Sequence, residues 1–181
     1  MADQHGRAVL DAIRRCIRDV PNFPKPGVMF KDITPLLLDA ALFRTAVELM
    51  TAPFQHLGAS RVISIESRGF LLGAPIALAL GAGLVPIRKP GKLPAERDRV
   101  EYALEYGVDA LEMHRDAVGP ADRVLIVDDV LATGGTAEGA ARLVRGQRAT
   151  LLGFTFLIEL DFLNGRKKLQ GELVEALLHY T

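Results

Sequence analysis

The residues with the clearest chemical pattern lie in the second half of the chain, where two adjacent carboxylates precede a turn with paired glycines. Asp128 and Asp129 follow an apolar run, residues 124–127, and the turn leads into a stretch with helical spacing. Ligands of open α/β sheets bind at the carboxyl ends of strands. Glycines let backbone N–H groups converge, and a helix start adds further N–H groups and a positive dipole end. The pattern predicts a cup for a phosphate monoester, formed by Ala132, Thr133, Gly134, Gly135 and Thr136.

The two acids need a separate explanation, because carboxylates repel phosphate. A sugar phosphate accounts for both features: Asp128 and Asp129 would accept hydrogen bonds from the ribose 2- and 3-hydroxyls, while the 5-phosphate lies deeper in the turn. A divalent cation on the ribose and pyrophosphate oxygens would lie near these carboxylates. The spacing fits neither a Walker loop nor a dinucleotide fingerprint. For each residue taken singly, a simple glycine turn with a capped helix stays open as an alternative.

The elements that must position these residues alternate between apolar runs and helical stretches. Predicted strands cover residues 61–65, 84–87, 124–127 and 150–158. Predicted helices cover the residues up to about 19, then 41–56, 70–80 and 136–145. Such alternation indicates an α/β fold with a mostly parallel central sheet flanked by helices.

Two stretches depart from this alternation. The prolines and glycine of residues 21–35 predict a loop or a set of turns. Residues 89–100 combine prolines, a glycine and many charges, which is typical of a mobile excursion. After it, residues 102–104 and 111–114 are expected to form a pair of strands flanking a turn at Gly107.

The acidic segment resembles the signature of the type I phosphoribosyltransferases, which bind 5-phosphoribosyl 1-pyrophosphate. Four further blocks resemble the adenine phosphoribosyltransferases and occur in that family's order: residues 23–35 (Phe-Pro-Lys-Pro-Gly-Val-Met-Phe-Lys-Asp-Ile-Thr-Pro), 66–70 (Glu-Ser-Arg-Gly-Phe), 87–94 (Ile-Arg-Lys-Pro-Gly-Lys-Leu-Pro) and 104–107 (Leu-Glu-Tyr-Gly). The resemblance covers nearly the whole chain, from about residue 13. It implies the type I phosphoribosyltransferase fold in a single domain, residues 1–181. An N-terminal base-binding hood would cover about residues 1–40, and a core with a mobile lid loop about residues 41–181.

The resemblance also implies an activity: a homodimeric enzyme of purine salvage that makes AMP and pyrophosphate from adenine and 5-phosphoribosyl 1-pyrophosphate. Mg²⁺ would be bound mainly through the substrate, near the two acids. The residues that it assigns are Glu105, Asp128 and Asp129 for catalysis, Arg68, Lys89 and Lys92 for pyrophosphate, Val28, Met29, Phe30 and Lys31 for adenine, and Tyr106 in the lid. Glu105 would handle a proton of the base. Singly, most of these also suit ordinary core or surface positions.

The composition excludes some classes of function. The 22 basic and 22 acidic residues give a formal net charge of zero, so no global field draws the chain to nucleic acid or to an anionic membrane. A single cysteine and the lack of a signal-peptide pattern favour a cytoplasmic location. Two alternatives stay open: the same chemistry on xanthine, guanine or orotate, and a non-catalytic sensor of 5-phosphoribosyl 1-pyrophosphate.

Overall fold

The computed structural model of the chain describes residues 2–103 and 108–181, which fall into two compact units divided between Glu48 and Leu49. The first unit contains, in chain order, α1 (Ala2–Arg15), β1 (Arg18–Pro21), β2 (Met29–Asp32), α2 (Thr34–Leu38) and most of α3 (Ala40–Thr51). The single domain and the hood boundary near residue 40 stay predictions.

The predicted loop over residues 21–35 is wrong for its second half. Residues Met29–Asp32 form β2, which pairs antiparallel with β1 so that Val20 lies opposite Phe30 and Asp19 opposite Lys31. The Lys31 ammonium donates to the Asp19 carboxylate at 2.6 Å. These pairs join residues about ten positions apart, so a local reading of the prolines could not reveal them. The same pairing ends α1 at Arg15, earlier than predicted.

The second unit is built on a five-stranded parallel sheet with the strand order β4-β3-β7-β8-β9. Its strands are β3 (Arg61–Ile65), β4 (Gly83–Ile87), β7 (Arg123–Leu131), β8 (Thr150–Leu160) and β9 (Val174–Tyr180). The central strands are buried on both faces, which explains why they read as continuous apolar runs. The predicted mostly parallel α/β fold is therefore confirmed. Because all strands run the same way, their carboxyl ends meet at one edge.

Helices and a ribbon cover the sheet. Helix α4 (Gly69–Leu80) follows β3 and ends at Gly81, which has the left-handed φ of 65° that suits glycine. Helix α5 (Gly135–Gly146) follows β7. An antiparallel ribbon of β5 (Arg97–Ala103) and β6 (Val108–His114) packs on α5, where Gly139 leaves room for the Tyr102 ring. None of the helices in the described part of the chain has the length and apolar character of a membrane span.

The structure corrects three boundaries in this unit. Strand β7 does not stop before the acids: it continues through Asp128 and Asp129 to Leu131, because β8 runs beside it as far as Glu159. Residues 89–100 are not wholly an excursion, since β5 begins at Arg97 and Leu93 is buried. Helix α3 ends at Thr51, and a short 3-10 helix, Ala52–Phe54, takes the place of its predicted last turn.

Candidate active site

A small cavity opens where β7 passes into α5. It has a volume of about 70 Å³ and is lined by residues 130–137 together with Asp128 and Phe156. Gly134 turns the chain with a φ of 77°. The Glu138 N–H donates a hydrogen bond to the Gly134 carbonyl, so the N–H groups of residues 135–137 come before this helical bond in the chain. Such amides, with the positive end of the helix dipole, attract anions. The structure therefore brings together all five residues of the predicted phosphate cup.

Of the two adjacent carboxylates, Asp128 lines this cavity. The Asp128 Oδ1 atom accepts a hydrogen bond from the Asp129 N–H at 2.9 Å. Burial raises the pKa of the Asp128 carboxyl, and the neighbouring charge of Asp129 raises it further. Gly69 makes room for this side chain, because a Cβ atom there would lie 2.8 Å from Asp128 Oδ1. Asp128 therefore lines the cavity with a carboxyl group that is costly to ionise.

Asp129 is buried and pairs with a residue of the second predicted group. Its Oδ2 atom lies 2.8 Å from Arg68 Nε at the start of α4. Burial raises the pKa of the Asp129 carboxyl, and the Arg68 charge offsets only part of that rise. The sequence predicts Arg68 as a pyrophosphate ligand and Asp129 as a ribose ligand, and the structure brings the two side chains into direct contact.

The two predicted lysines are also held by carboxylates. Lys92 Nζ donates to Glu66 Oε1 at 2.8 Å, and Arg88 Nε donates to Glu66 Oε2 at 2.6 Å. Burial alone would raise the pKa of the Glu66 carboxyl, but the hydrogen bonds from Lys92 and Arg88 outweigh it and lower that pKa. Glu66 therefore gathers two cations at the carboxyl end of β3.

Lys89 contacts side chains of the β5–β6 ribbon, one of which lies near the cup. Its ammonium contacts the Asp109 carboxylate and donates to Tyr102 Oη at 2.7 Å, and Thr136 Oγ1 lies 3.4 Å from the same phenol oxygen. Burial alone would lower the pKa of the Lys89 ammonium, but the bonds to Asp109 and Tyr102 raise it above its usual value. Lys89 is thus a charged group within two contacts of the phosphate cup.

Sequence reasoning missed the partners that hold these cations, namely Glu66, Tyr102 and Asp109. Glu66 belongs to the motif of residues 66–70, and its position could have indicated a role, since it directly follows β3 at the carboxyl edge of the sheet. Asp109 had no such signal, because its contact with Lys89 depends on the bridge between Arg88, directly after β4, and Glu112 of β6. Glu105 and Tyr106 lie outside the described residues, and their assigned roles stay predictions.

The predicted adenine residues lie in the first unit. Met29, Phe30 and Lys31 belong to β2, directly after Val28. Met29 is about half exposed, and the Phe30 ring meets the Phe23 ring edge-on with centroids 5.0 Å apart. The Lys31 side chain is occupied by Asp19. An exposed thioether and an aromatic pair are suited to the face of a flat base.

A cavity at a helix start, with two acids before it at the carboxyl edge of a parallel sheet, fits the phosphoribosyltransferases, and the family model described as phosphoribosyl transferase domain matches residues 55–173. The adenine phosphoribosyltransferases of Anaeromyxobacter dehalogenans strain 2CP-C and Myxococcus xanthus are each 57% identical to the chain. The alignments cover 95% and 91% of the chain, and 100% and 89% of those relatives. The chain therefore belongs to the adenine phosphoribosyltransferase family.

Solved structures agree with this membership. The adenine phosphoribosyltransferase of Rhodothermus marinus superposes with a TM-score of 0.93 at 50% identity, covering 96% of this chain and 99% of that one. The enzyme from Saccharomyces cerevisiae, solved as a complex with adenine and D-2,5-dideoxy-2,5-imino-altritol 1,6-bisphosphate, superposes with a TM-score of 0.88 at 39% identity. That comparison covers 95% of this chain and 99% of the yeast chain.

Proposed function

We propose that this chain transfers the 5-phosphoribosyl group from 5-phosphoribosyl 1-pyrophosphate to adenine, giving AMP and pyrophosphate. The observation that carries the proposal is the cup of residues 132–136 at the end of the strand that contains Asp128 and Asp129. Relatives that bear the name of this activity, and the yeast relative solved with adenine, support the choice of base.

The cup and the acids would fix the sugar. The 5-phosphate would accept hydrogen bonds from the first amides of α5 and from the hydroxyls of Thr133 and Thr136. The ribose hydroxyls would donate to Asp128 and Asp129, which accept hydrogen bonds best when ionised. Most of the rate enhancement would then come from positioning and from electrostatic stabilisation, because no residue needs to form a covalent bond with the sugar.

Pyrophosphate would bind along Arg68, Lys89 and Lys92. Each of these cations is now held by a carboxylate, so pyrophosphate would take over contacts made by Asp129, Asp109 and Glu66. The charge that compensates the leaving group is therefore already oriented by these ion pairs. As the C1–O bond breaks, the ring acquires oxocarbenium character, and the base nitrogen forms its bond to C1 from the opposite face.

Mg²⁺ is part of the proposal. The carboxylates of Asp128 and Asp129 beside a polyphosphate site are the hard oxygen donors that this cation prefers. They would lie next to a Mg²⁺ ion held mainly by substrate oxygens, and the ion would supply charge neutralisation for the leaving pyrophosphate.

The predicted base-binding residues are 28–31, with Glu105 and Tyr106 in the predicted lid. Val28, Met29, Phe30 and Lys31 would present apolar surface and backbone groups to adenine, as the resemblance implies. Glu105 would manage the proton of the base nitrogen, and Tyr106 would belong to the segment that excludes water.

A panel of bases tests the substrate assignment. With Mg²⁺ and 5-phosphoribosyl 1-pyrophosphate, we expect nucleotide formation from adenine at a kcat/KM about 100-fold or more above the values for hypoxanthine, guanine and xanthine. Chromatography of the products measures each rate. A preference for a 6-oxo purine would reassign the base while leaving the phosphoribosyl transfer intact.

We also propose that the protein acts in the cytoplasm as a homodimer, with α4 at the interface. This helix has no polar side chain, yet Leu78 is 84% exposed and Leu71 is 47% exposed one heptad earlier on the same face. Exposed apolar faces of this kind mark contact surfaces. The loop that begins α4 carries Arg68, so the interface would support the pyrophosphate site.

Leu78→Glu is expected to convert the dimer to monomers, because it places a charge in an apolar contact. Light scattering after size exclusion measures the mass. Leu38→Glu is the matched control, since Leu38 is 86% exposed on a helix of the first unit. A monomeric wild type, or a dimer that survives Leu78→Glu, would remove α4 from the interface.

A further inference from the structure

Two backbone segments touch beneath the phosphate cup. A Cβ atom on Gly134 would lie 2.4 Å from the Gly165 carbonyl oxygen. Reciprocally, a Cβ atom on Gly165 would lie 2.1 Å from the Ala132 carbonyl oxygen and 2.8 Å from the Gly134 nitrogen. Real Cβ atoms do not make such contacts with backbone, so the cup rests directly on the segment around Gly165.

Gly165 is required for space rather than for its backbone angle. Gly134 has a left-handed φ of 77°, whereas the φ of Gly165 is not in the left-handed region. The chain reverses one residue earlier, at Asn164 with a φ of 54°, and Gly165 opens the short 3-10 helix Gly165–Leu169. An alanine at position 165 could therefore keep its own conformation but would displace the cup.

The next residue fastens this segment to the sheet. Arg166 donates from Nε to Glu159 Oε1 at 3.1 Å and from Nη2 to Glu159 Oε2 at 2.5 Å. A third bond runs from Nη1 to the Val174 carbonyl at the start of β9, at 2.6 Å. Glu159 is buried near the end of β8, paired with Leu131, the last residue of β7 before the cup. The three hydrogen bonds of Arg166 therefore connect it to β8 and β9, beside the point where the cup begins.

We infer that Gly165 and Arg166 are positioning residues for the 5-phosphate, holding the backbone of residues 132–134 in its anion-binding shape. The inference rests on the proposed function, because it assigns the cup to the sugar phosphate. Neither residue touches the substrate: Gly165 supports the cup from below by backbone contact, and Arg166 fixes the place of Gly165 through its planar fork.

Gly165→Ala tests the support. We expect the KM for 5-phosphoribosyl 1-pyrophosphate and the dissociation constant of ribose 5-phosphate to rise about 10- to 100-fold, with the KM for adenine changed less than about 2-fold. Gly146→Ala is the control: it lies at the far end of α5, where a Cβ atom meets nothing within 4 Å, and both constants should stay at wild-type values. A merely structural role would lower the melting temperature without this selective loss.

Arg166→Lys provides a second test that does not depend on Gly165→Ala folding. It keeps the charge but removes the fork, so ribose 5-phosphate should bind about 3- to 10-fold more weakly by calorimetry. Unchanged binding in a folded Gly165→Ala, or in Arg166→Lys if the former does not fold, would overturn the inference. A wild type that does not bind ribose 5-phosphate would instead contradict the proposed function, and the inference with it.

Discussion

Asp128→Asn is expected to lower kcat/KM for AMP formation about 10²- to 10³-fold while leaving the melting temperature unchanged or higher. Asparagine is nearly isosteric, but its amide lacks the charge that orders the ribose hydroxyls beside the cup. The Asp116→Asn variant, which removes an exposed acid away from the cup, should retain wild-type kinetics. Steady-state rates of AMP formation, with circular dichroism for the melting temperature, measure both effects.

The stability half of this prediction follows from the raised pKa of Asp128. A carboxyl whose pKa is higher in the folded than in the unfolded state favours folding at acidic pH, and that contribution is lost as the pH rises through the folded pKa. Above that pKa, the wild type holds a charge at a cost that Asp128→Asn avoids. The variant's advantage in melting temperature should therefore grow as the pH rises above the ordinary pKa range of an aspartate carboxyl. A variant with more than half of wild-type kcat/KM would remove Asp128 from the mechanism.

Arg68→Met is expected to reduce both activity and stability. Loss of the guanidinium removes a pyrophosphate ligand, so kcat/KM should fall about 10²- to 10³-fold. It also leaves the buried Asp129 carboxylate without the ion pair at 2.8 Å, which should cost about 1–3 kcal/mol of unfolding free energy. Kinetics and urea unfolding at neutral pH measure the two losses.

The double variant Arg68→Met/Asp129→Asn separates these losses. With the second charge also removed, the unfolding free energy should return toward the wild-type value, because no unpaired charge stays buried. Activity should not return, since both ligand groups are gone. If the two substitutions lower the unfolding free energy additively, the ion pair between Arg68 and Asp129 does not account for the stability lost in Arg68→Met.

The part of the fold that could be predicted from the sequence is the part specified by contiguous residues. Strand β3 and helix α4 follow from an apolar run and a helical stretch that ends in glycine. The cup was predictable for the same reason, because one uninterrupted segment supplies a strand end, a glycine turn and a helix start. Strand β9 and the β1–β2 ribbon escaped prediction, since their pairing joins segments that carry no local signal.

The site shows the same limit. Arg68, Lys89 and Lys92 could be predicted as cations on the ligand edge, but their carboxylate partners could not. Asp109 lies beside Lys89 because Arg88, directly after β4, bridges to Glu112 of β6, which joins segments far apart in sequence. No local pattern in the sequence marks Gly165; its proposed role follows from the backbone of Gly134 lying against it.

The stoichiometry of the reaction tests whether this chain transfers phosphoribosyl to adenine. Wild-type protein incubated with adenine, 5-phosphoribosyl 1-pyrophosphate and Mg²⁺ should form AMP and pyrophosphate in equal amounts, with both products absent when either substrate is omitted. Chromatography and a pyrophosphate assay on the same samples give the ratio. Failure to form AMP, or release of pyrophosphate without AMP, would contradict phosphoribosyl transfer to adenine by this chain.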